Sequence, residues 1–251
     1  SIVGKKDGFA FRPLSLVGVQ LDFEVTNNFD LVGQFVYREQ DEQTLDSMTQ
    51  MAFLRYNFNQ AWQLRAGRTG ADIFHFSDTR DISIAYPWVK VPTEVYGIVP
   101  TRSFDGVDVT YSTPFDDFNL VIKVFAGQAE SDFTSNDYQP IGFKDLISVG
   151  IELDSFDWSF SLKHTTTNAA NDNPDAALII PFVEQLQPIW SGALPYADEL
   201  SIKNASIEYT SLYAERYMGM FHVSAELAHI DSTSLGLRHS LNGFVNLSYL
   251  N

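Results

Sequence analysis

A run of alternating apolar and polar side chains near the amino terminus constrains the fold of this chain more than any other feature. In SLVGVQLDFEVT, residues 15–26, every second residue is apolar: Val17, Val19, Leu21, Phe23 and Val25. Successive side chains of a β-strand point to opposite faces, so a period of two predicts a strand with one apolar and one polar face. A helix would need apolar residues every three or four positions instead.

The same period recurs along the chain and predicts about eleven strands, while helix is predicted only within 181–192. The predicted strands are 15–26, 30–38, 47–58, 62–69, 104–111, 119–127, 146–153, 158–164, 202–213, 217–229 and 241–249. The connections between them are alternately short and long. This alternation predicts an antiparallel up-and-down meander with its short turns at one end and its long loops at the other.

Two hairpins are short enough for their registers to be predicted. A turn at 27–29 would place Leu21 opposite Phe35 and keep both apolar faces on one side. A turn at 59–61 places Arg55 directly opposite Arg65. Like charges in this arrangement destabilise a sheet, so the face that carries them must supply water, an acid or an anion between them.

Long strands, loops of alternating length and aromatic residues near the short turns together favour a transmembrane β-barrel. Outer-membrane barrels have short periplasmic turns and long external loops, and a tilted strand of about 9–11 residues crosses a bilayer. Tyr and Trp favour the membrane–water boundary. The aromatic set is Tyr56, Phe58, Trp62, Tyr111, Phe118, Phe156, Trp158, Tyr213, Tyr217 and Tyr249. A soluble β-rich ligand-binding module shows similar alternation and remains the alternative.

Composition excludes several classes of function. The net charge of −16 argues against a nucleic-acid partner, which would require a basic face. The absence of cysteine excludes thiol chemistry and disulfides. No spacing of histidines or carboxylates matches a catalytic or metal motif, so no enzyme activity, cofactor or metal is predicted. A plugged outer-membrane barrel with an adhesion or enzymatic role remains a second alternative.

Four segments carry a family resemblance: LRAGR at 64–68, AYPWVKVP at 85–92, TEVYG at 93–97 and SFDGVDVTY at 103–111. They resemble the phosphate-selective porin group and related Gram-negative porins. The resemblance implies an outer-membrane porin, a channel for ions and small hydrophilic solutes, assembled as a homotrimer in contact with lipid and lipopolysaccharide. It also implies one barrel domain over 1–251, with loop 70–103 folding inward and a second long loop at 165–201.

The number of strands is left open. If the short turns are periplasmic, the first strand runs downward, and an upstream strand before Ser1 is expected. Twelve strands would give the even number typical of bacterial barrels. The related porins usually end on an aromatic residue, whereas this chain ends in Leu250 and Asn251. A fragment of a larger barrel of about sixteen strands is therefore the other expectation.

Charged side chains on the polar faces are the candidate pore lining. The predicted constriction residues are Arg38, Arg55, Arg65, Arg68, Lys123, Asp108 and Glu94. The other charged residues expected to face inward are Lys163, Asp22, Glu24, Asp30, Glu152, Glu208 and Glu226. Because five or six bases oppose seven acids, the phosphate specificity of the resembling family is not expected here.

Two partners are possible for the opposed arginines. A loop acid could clamp them, and the candidates are Asp72, Asp78, Asp81 and Glu94; alternatively the pair belongs to an anion track, since arginine matches carboxylate and phosphate oxygens. Acids also cluster in the loops near 39–46 and 128–145. These either keep the loops hydrated or bind lipopolysaccharide through divalent cations.

Overall fold

The computed structural model describes residues 16–38, 44–77, 92–97, 99, 101–131, 140–172, 174–234, 237 and 239–249. It contains eleven strands: β1 (Leu16–Thr26), β2 (Phe29–Arg38), β3 (Thr49–Asn57), β4 (Trp62–Gly70), β5 (Ser103–Phe115), β6 (Phe118–Glu130), β7 (Gly142–Ser155), β8 (Trp158–Ala169), β9 (Ser206–Met218), β10 (Phe221–Ser232) and β11 (Ser240–Tyr249). Four helices lie in the long connections: α1 (Leu45–Met48), α2 (Thr93–Tyr96), α3 (Pro174–Glu184) and α4 (Ala193–Leu200). None of these helices is long and apolar enough to cross a membrane.

The strands form one sheet in which each strand pairs antiparallel with its neighbour in sequence, from β1 to β11. The short connections, at 27–28, 58–61, 116–117, 156–157 and 219–220, all join strands at one end of the sheet. The long connections join them at the other end. The predicted all-β, antiparallel up-and-down fold is therefore confirmed.

The outer face of the sheet is apolar, and the inner face carries buried polar and charged side chains beside its apolar ones. Large apolar side chains such as Phe23, Leu54 and Val245 are exposed on the outer face. Ser161 and Glu226, on the inner face, are fully buried. Apolar residues facing outward and polar residues facing inward are typical of a barrel whose outer surface meets lipid rather than water.

The sheet curves around part of the β4–β5 connection. Phe104 of β5, Phe125 of β6, Tyr209 of β9 and Ile230 of β10 belong to one buried apolar cluster, together with Phe74 of that connection. The cluster therefore extends along the inner face from β5 to β10 and packs against that connection. We call residues 71–77 and 92–97 the inner loop.

Aromatic residues mark the short-turn end of the outer face. Trp62 and Tyr111 pair there with ring centroids 4.8 Å apart, and Phe221 pairs with Tyr249 at 5.5 Å. Phe156 is fully exposed at its turn. Tyr213 is an exception to the prediction, because it is buried on the inner face.

Several predictions of local structure are wrong. Helices α3 and α4 replace the single helix predicted within 181–192. The turn before β10 is at 219–220 rather than 214–216. The β1–β2 turn has two residues, not three, and a bulge before Thr26 places Leu21 opposite Gly33 rather than Phe35. A slip of two residues leaves every side chain on its predicted face, so the alternation could not reveal it.

Glycines allow an unusually close approach of strands β5 and β6. Gly106 and Gly127 are direct partners in the register. A Cβ atom added to Gly106 would lie 2.1 Å from the carbonyl oxygen of Ala126 and 2.7 Å from the Cα atom of Gly127. Both contacts are with backbone, so no side-chain rotation could relieve them.

Candidate functional site

A row of charged residues crosses the inner face of the first five strands. The register places Glu24 opposite Asp30, Asp30 opposite Arg55, Arg55 opposite Arg65, and Arg65 opposite Asp108. We call these five residues the charge row. The predicted opposition of the two arginines is confirmed by the β3–β4 register.

The arginines avoid each other because each binds an acid on its far side. The Nε atom of Arg55 donates to Asp30 at 2.8 Å. The Nε atom of Arg65 donates to both carboxylate oxygens of Asp108, each at 2.9 Å, and its guanidinium lies 5.1 Å from the ring centroid of Phe53. Ion pairs between neighbouring strands thus offset the repulsion that the register imposes.

Water reaches the two ion pairs to different extents. The Arg55 side chain is 32% exposed and that of Asp30 15%, whereas Asp108 is fully buried. The next residue in register after Asp108 is Phe125, which belongs to the buried apolar cluster. Along the charge row, the partly exposed side chains of Asp30 and Arg55 thus give way to the fully buried Asp108 and the apolar cluster beyond it.

A second charged group attaches the inner loop to the opposite wall. Asp72 accepts hydrogen bonds from the Nζ atom of Lys123 at 3.1 Å and from that of Lys163. Lys163 also forms an ion pair with Glu152 at 2.8 Å. Burial raises the pKa of the Asp72 carboxyl, but the two lysines outweigh this effect and hold the pKa well below its usual range.

A third group holds the inner loop to β10. The fully buried Glu226 accepts a hydrogen bond from the backbone N–H of His75 at 3.0 Å and another from the hydroxyl of Tyr96. The His75 ring stacks on Tyr213 with centroids 3.6 Å apart, and its Nδ1 atom lies 3.3 Å from the hydroxyl of Ser161. Burial and the nearby Lys163 lower the pKa of His75 to about 3, so the ring is neutral at ordinary pH.

The structure separates the predicted constriction residues. Arg55, Arg65 and Asp108 lie together in the charge row, and Lys123 is on the inner face in contact with Asp72. Arg68 does not join them. It is opposite the exposed Ala52 and therefore on the outer face, where it binds Asp105 and Asp46 at 2.8 Å each.

The remaining predicted residues either lie outside the described part of the chain or are placed away from the charge row. The Arg38 side chain lies outside the described part of the chain, as do Asp78 and Asp81. Glu94 is exposed on α2. The proposed clamp of the arginines by a loop acid is wrong for Asp72, which binds the lysines instead, and Glu208 faces outward rather than inward.

Sequence reasoning missed the contacts of His75, Tyr96 and Glu226. Tyr96 and Glu226 are 130 residues apart in sequence, and no local pattern joins them. Of the loop acids, 39–43 and 132–139 are outside the described ranges. Among the residues that the structure describes, no group of three or more His, Asp or Glu side chains has the geometry to hold a metal ion.

No family model and no curated protein matches this sequence. Among solved structures, the chain is similar to Salmonella typhi OmpF in complex with daunomycin, with 12% identity, a TM-score of 0.39, and coverage of 86% of this chain and 70% of that one. It is also similar to outer-membrane expressed OmpT of Vibrio cholerae, with 12% identity, a TM-score of 0.31, and coverage of 94% and 89%. Scores this low do not establish a common fold, so the fold rests on the strand pairing described above.

Proposed function

We propose that this chain is an outer-membrane porin of a Gram-negative bacterium, a water-filled channel for passive diffusion of ions and small hydrophilic solutes. The observation that carries the proposal is the charge row on the inner face, with Glu24 exposed and Arg55 partly exposed, behind an apolar outer face. Arg55 and Asp30 keep part of their surface exposed on the inner face, and water in the interior would solvate them, because a charge away from water is costly. The outward apolar band and the aromatic residues at the short-turn end fit a membrane position.

In this proposal Arg55 and Arg65, with Asp30 and Asp108, form the wall of the narrow zone, and the inner loop narrows the interior from the other side. The acids fix the direction of each guanidinium, so the charges keep a constant position relative to a passing ion. Rings of charged side chains are a usual means by which channels select ions. The homotrimer and the contacts with lipopolysaccharide remain predictions.

The test is single-channel current in planar bilayers, comparing the wild-type protein with the double variant Arg55→Gln, Arg65→Gln. Stepwise currents are expected from both proteins, and the variant should show a higher cation-to-anion permeability ratio. Arg216→Gln is the matched control, because Arg216 forms an exposed ion pair with Asp157 at 2.9 Å near a short turn. Equal conductance and selectivity in all three proteins would exclude the arginines from the narrow zone.

A plugged barrel with an adhesion or enzymatic role is the second candidate. The packed interior between β6 and β10, where Ser211 and Ser224 are buried, favours it. A protein that folds in detergent and inserts into bilayers yet passes no current would support this candidate over the porin.

A further inference from the structure

The outer face of the sheet is polar over part of three neighbouring strands. The register aligns one row across this face: Val149 of β7, His164 of β8, Thr210 of β9, His229 of β10 and Leu241 of β11. The row is apolar at both ends and polar on the three strands between them, and the next row towards the long loops is polar on the same strands. We call the polar residues of the two rows the outer patch: His164, Thr166, Glu208, Thr210, His229 and Asp231.

The outer patch lies at a depth where lipid-facing residues are normally apolar. A strand rises about 3.3 Å per residue and is tilted by about 40° in such barrels, so each residue advances about 2.5 Å across an apolar band about 25 Å tall. His164 is six residues beyond Trp158, which follows a short turn, and His229 is eight residues beyond Phe221. The two rings therefore lie about 15 and 20 Å into the band.

The strands on either side are apolar over the same depth. On β6 every outward residue from Phe118 to Ala126 is apolar, and on β11 none from Leu241 to Tyr249 is polar except at the tyrosine hydroxyl. On β8 the apolar outward residues end at Leu162. Because polar groups without partners are costly in lipid, the outer patch indicates that another protein surface covers this part of β8 to β10.

The connection between β8 and β9 extends this surface at the long-loop end. Helices α3 and α4 lie in this connection. Asp172 joins its two ends, because its carboxylate accepts from the backbone N–H groups of Ile202 and Lys203 at 2.7 and 3.0 Å. The helices are therefore anchored at the ends of the strands that carry the outer patch.

Helix α3 is apolar on the side that faces away from α4. Ile180 and Val183 pack with residues of α4. On the other side Leu178, Ile179 and Phe182 are each at least 52% exposed. A helix with apolar residues on every side is normally buried. Helices that lie on a membrane surface usually carry Lys or Arg, and neither occurs between 171 and 202, so a protein surface fits α3 better than lipid headgroups do.

A second copy of this chain has the chemistry that fits both parts of the surface. Copies in one membrane share an orientation, so a symmetry axis normal to the membrane brings residues of equal depth together. Imidazole and hydroxyl groups can both donate and accept hydrogen bonds, so a row of His and Thr can pair with the same row. The carboxylate of Glu208 can accept from an imidazole of the other copy, and the apolar side of α3 can pack on its counterpart.

We infer that copies of this chain associate through the outer patch and the apolar side of α3. The inference rests on the membrane position given in the proposed function, but not on conduction. It gives the predicted homotrimer a specific contact surface on β8, β9 and β10, and it leaves the apolar outer face of β6 to lipid.

Cross-linking of single cysteines tests the contact, because the chain has no cysteine of its own. Thr210→Cys lies at the centre of the outer patch, and Val124→Cys is the matched control in the same row on β6. In outer membranes treated with a bifunctional maleimide, Thr210→Cys should link to a second copy roughly tenfold faster than the control, because association raises the effective concentration of the thiols. Equal rates, or links from Thr210→Cys only to other proteins, would overturn the inference.

Leu178→Ser tests the part of α3 in the contact. The side chain is 68% exposed in the single chain, so the barrel should still fold. Loss of a leucine buried between copies should weaken association in detergent roughly tenfold, measured by sedimentation equilibrium. Leu45→Ser is the matched control, since Leu45 is an 81% exposed leucine of α1, and it should change nothing.

The two proposals fail in different ways. A monomeric wild type, or unchanged association in Leu178→Ser, would overturn the inference, while stepwise currents from the same protein would leave the porin intact. A protein that does not fractionate with the outer membrane would instead refute the proposed function.

Discussion

Replacing Asp72 with asparagine tests how the inner loop is held in place. The change keeps the size of the side chain but removes the charge that binds Lys123 and Lys163. Lys163 is only 2% exposed, so it cannot recover hydration, and its contact with Glu152 at 2.8 Å is the ion pair that remains to it among those described. The inner loop should therefore detach more often.

The burial of the Asp72 ion pairs sets the expected loss in the free energy that attaches the inner loop. Removing one partner of a buried ion pair destabilises by about 3–5 kcal/mol. The Glu152 contact and the partial exposure of Asp72, 13%, favour the lower end of that range. About 3 kcal/mol corresponds to roughly a hundredfold change in the equilibrium between attached and detached loop.

Amide hydrogen exchange of the 71–77 peptide measures this equilibrium, because the N–H group of His75 donates to Glu226 of β10 only while the loop is attached. Exchange in Asp72→Asn should be about a hundredfold faster, with β8 still protected. Asp46→Asn is the control, since it removes an exposed ion pair of the outer face. An exchange rate in Asp72→Asn within about threefold of wild type would refute the argument.

Three further predictions follow from the same contacts and from the strand packing. Tyr96→Phe leaves the fully buried Glu226 with one donor fewer and should weaken loop attachment by about 1–3 kcal/mol, measured by exchange in 92–97. The pKa of His75 is about 3 while the inner loop is attached and 6.5 when the loop is free. Between these pH values, His75 is protonated only in the detached loop. Attachment should weaken as the pH falls below about 6.5, and exchange in 71–77, corrected for its intrinsic pH dependence, should rise; a flat profile would contradict this. Gly106→Ala should prevent correct pairing of β5 with β6, seen as loss of heat-modifiable mobility on electrophoresis, whereas Gly18→Ala, whose Cβ would meet only ordinary contacts at 3.6 Å, should fold normally.

The sequence predicted the strands well because the alternation of side chains depends on the local chain alone. All eleven predicted strands occur, and the β3–β4 register is correct because its turn is short. Alternation cannot distinguish registers that differ by two residues, and this explains the error between β1 and β2. The run AALII at 176–180 has no alternation, so its helix could not be recognised from a period of two.

The partners of the arginines show where prediction from sequence stops. Arg65 and Asp108 are adjacent across β4 and β5, but a connection from 71 to 102 separates these strands, and no turn rule fixes a register over that distance. The contact of His75 with Glu226 joins residues 151 positions apart and depends on the loop folding against the inner face of the sheet. Side-chain contacts of this kind require the three-dimensional structure.

The most direct test of the account is the single-channel current of the wild-type protein in a planar bilayer under a salt gradient. Stepwise, lasting conductance increments are expected, with a reversal potential that shifts when Arg55 and Arg65 are replaced. A protein that is folded and inserted but electrically silent would contradict the central claim that the charge row faces a continuous aqueous path.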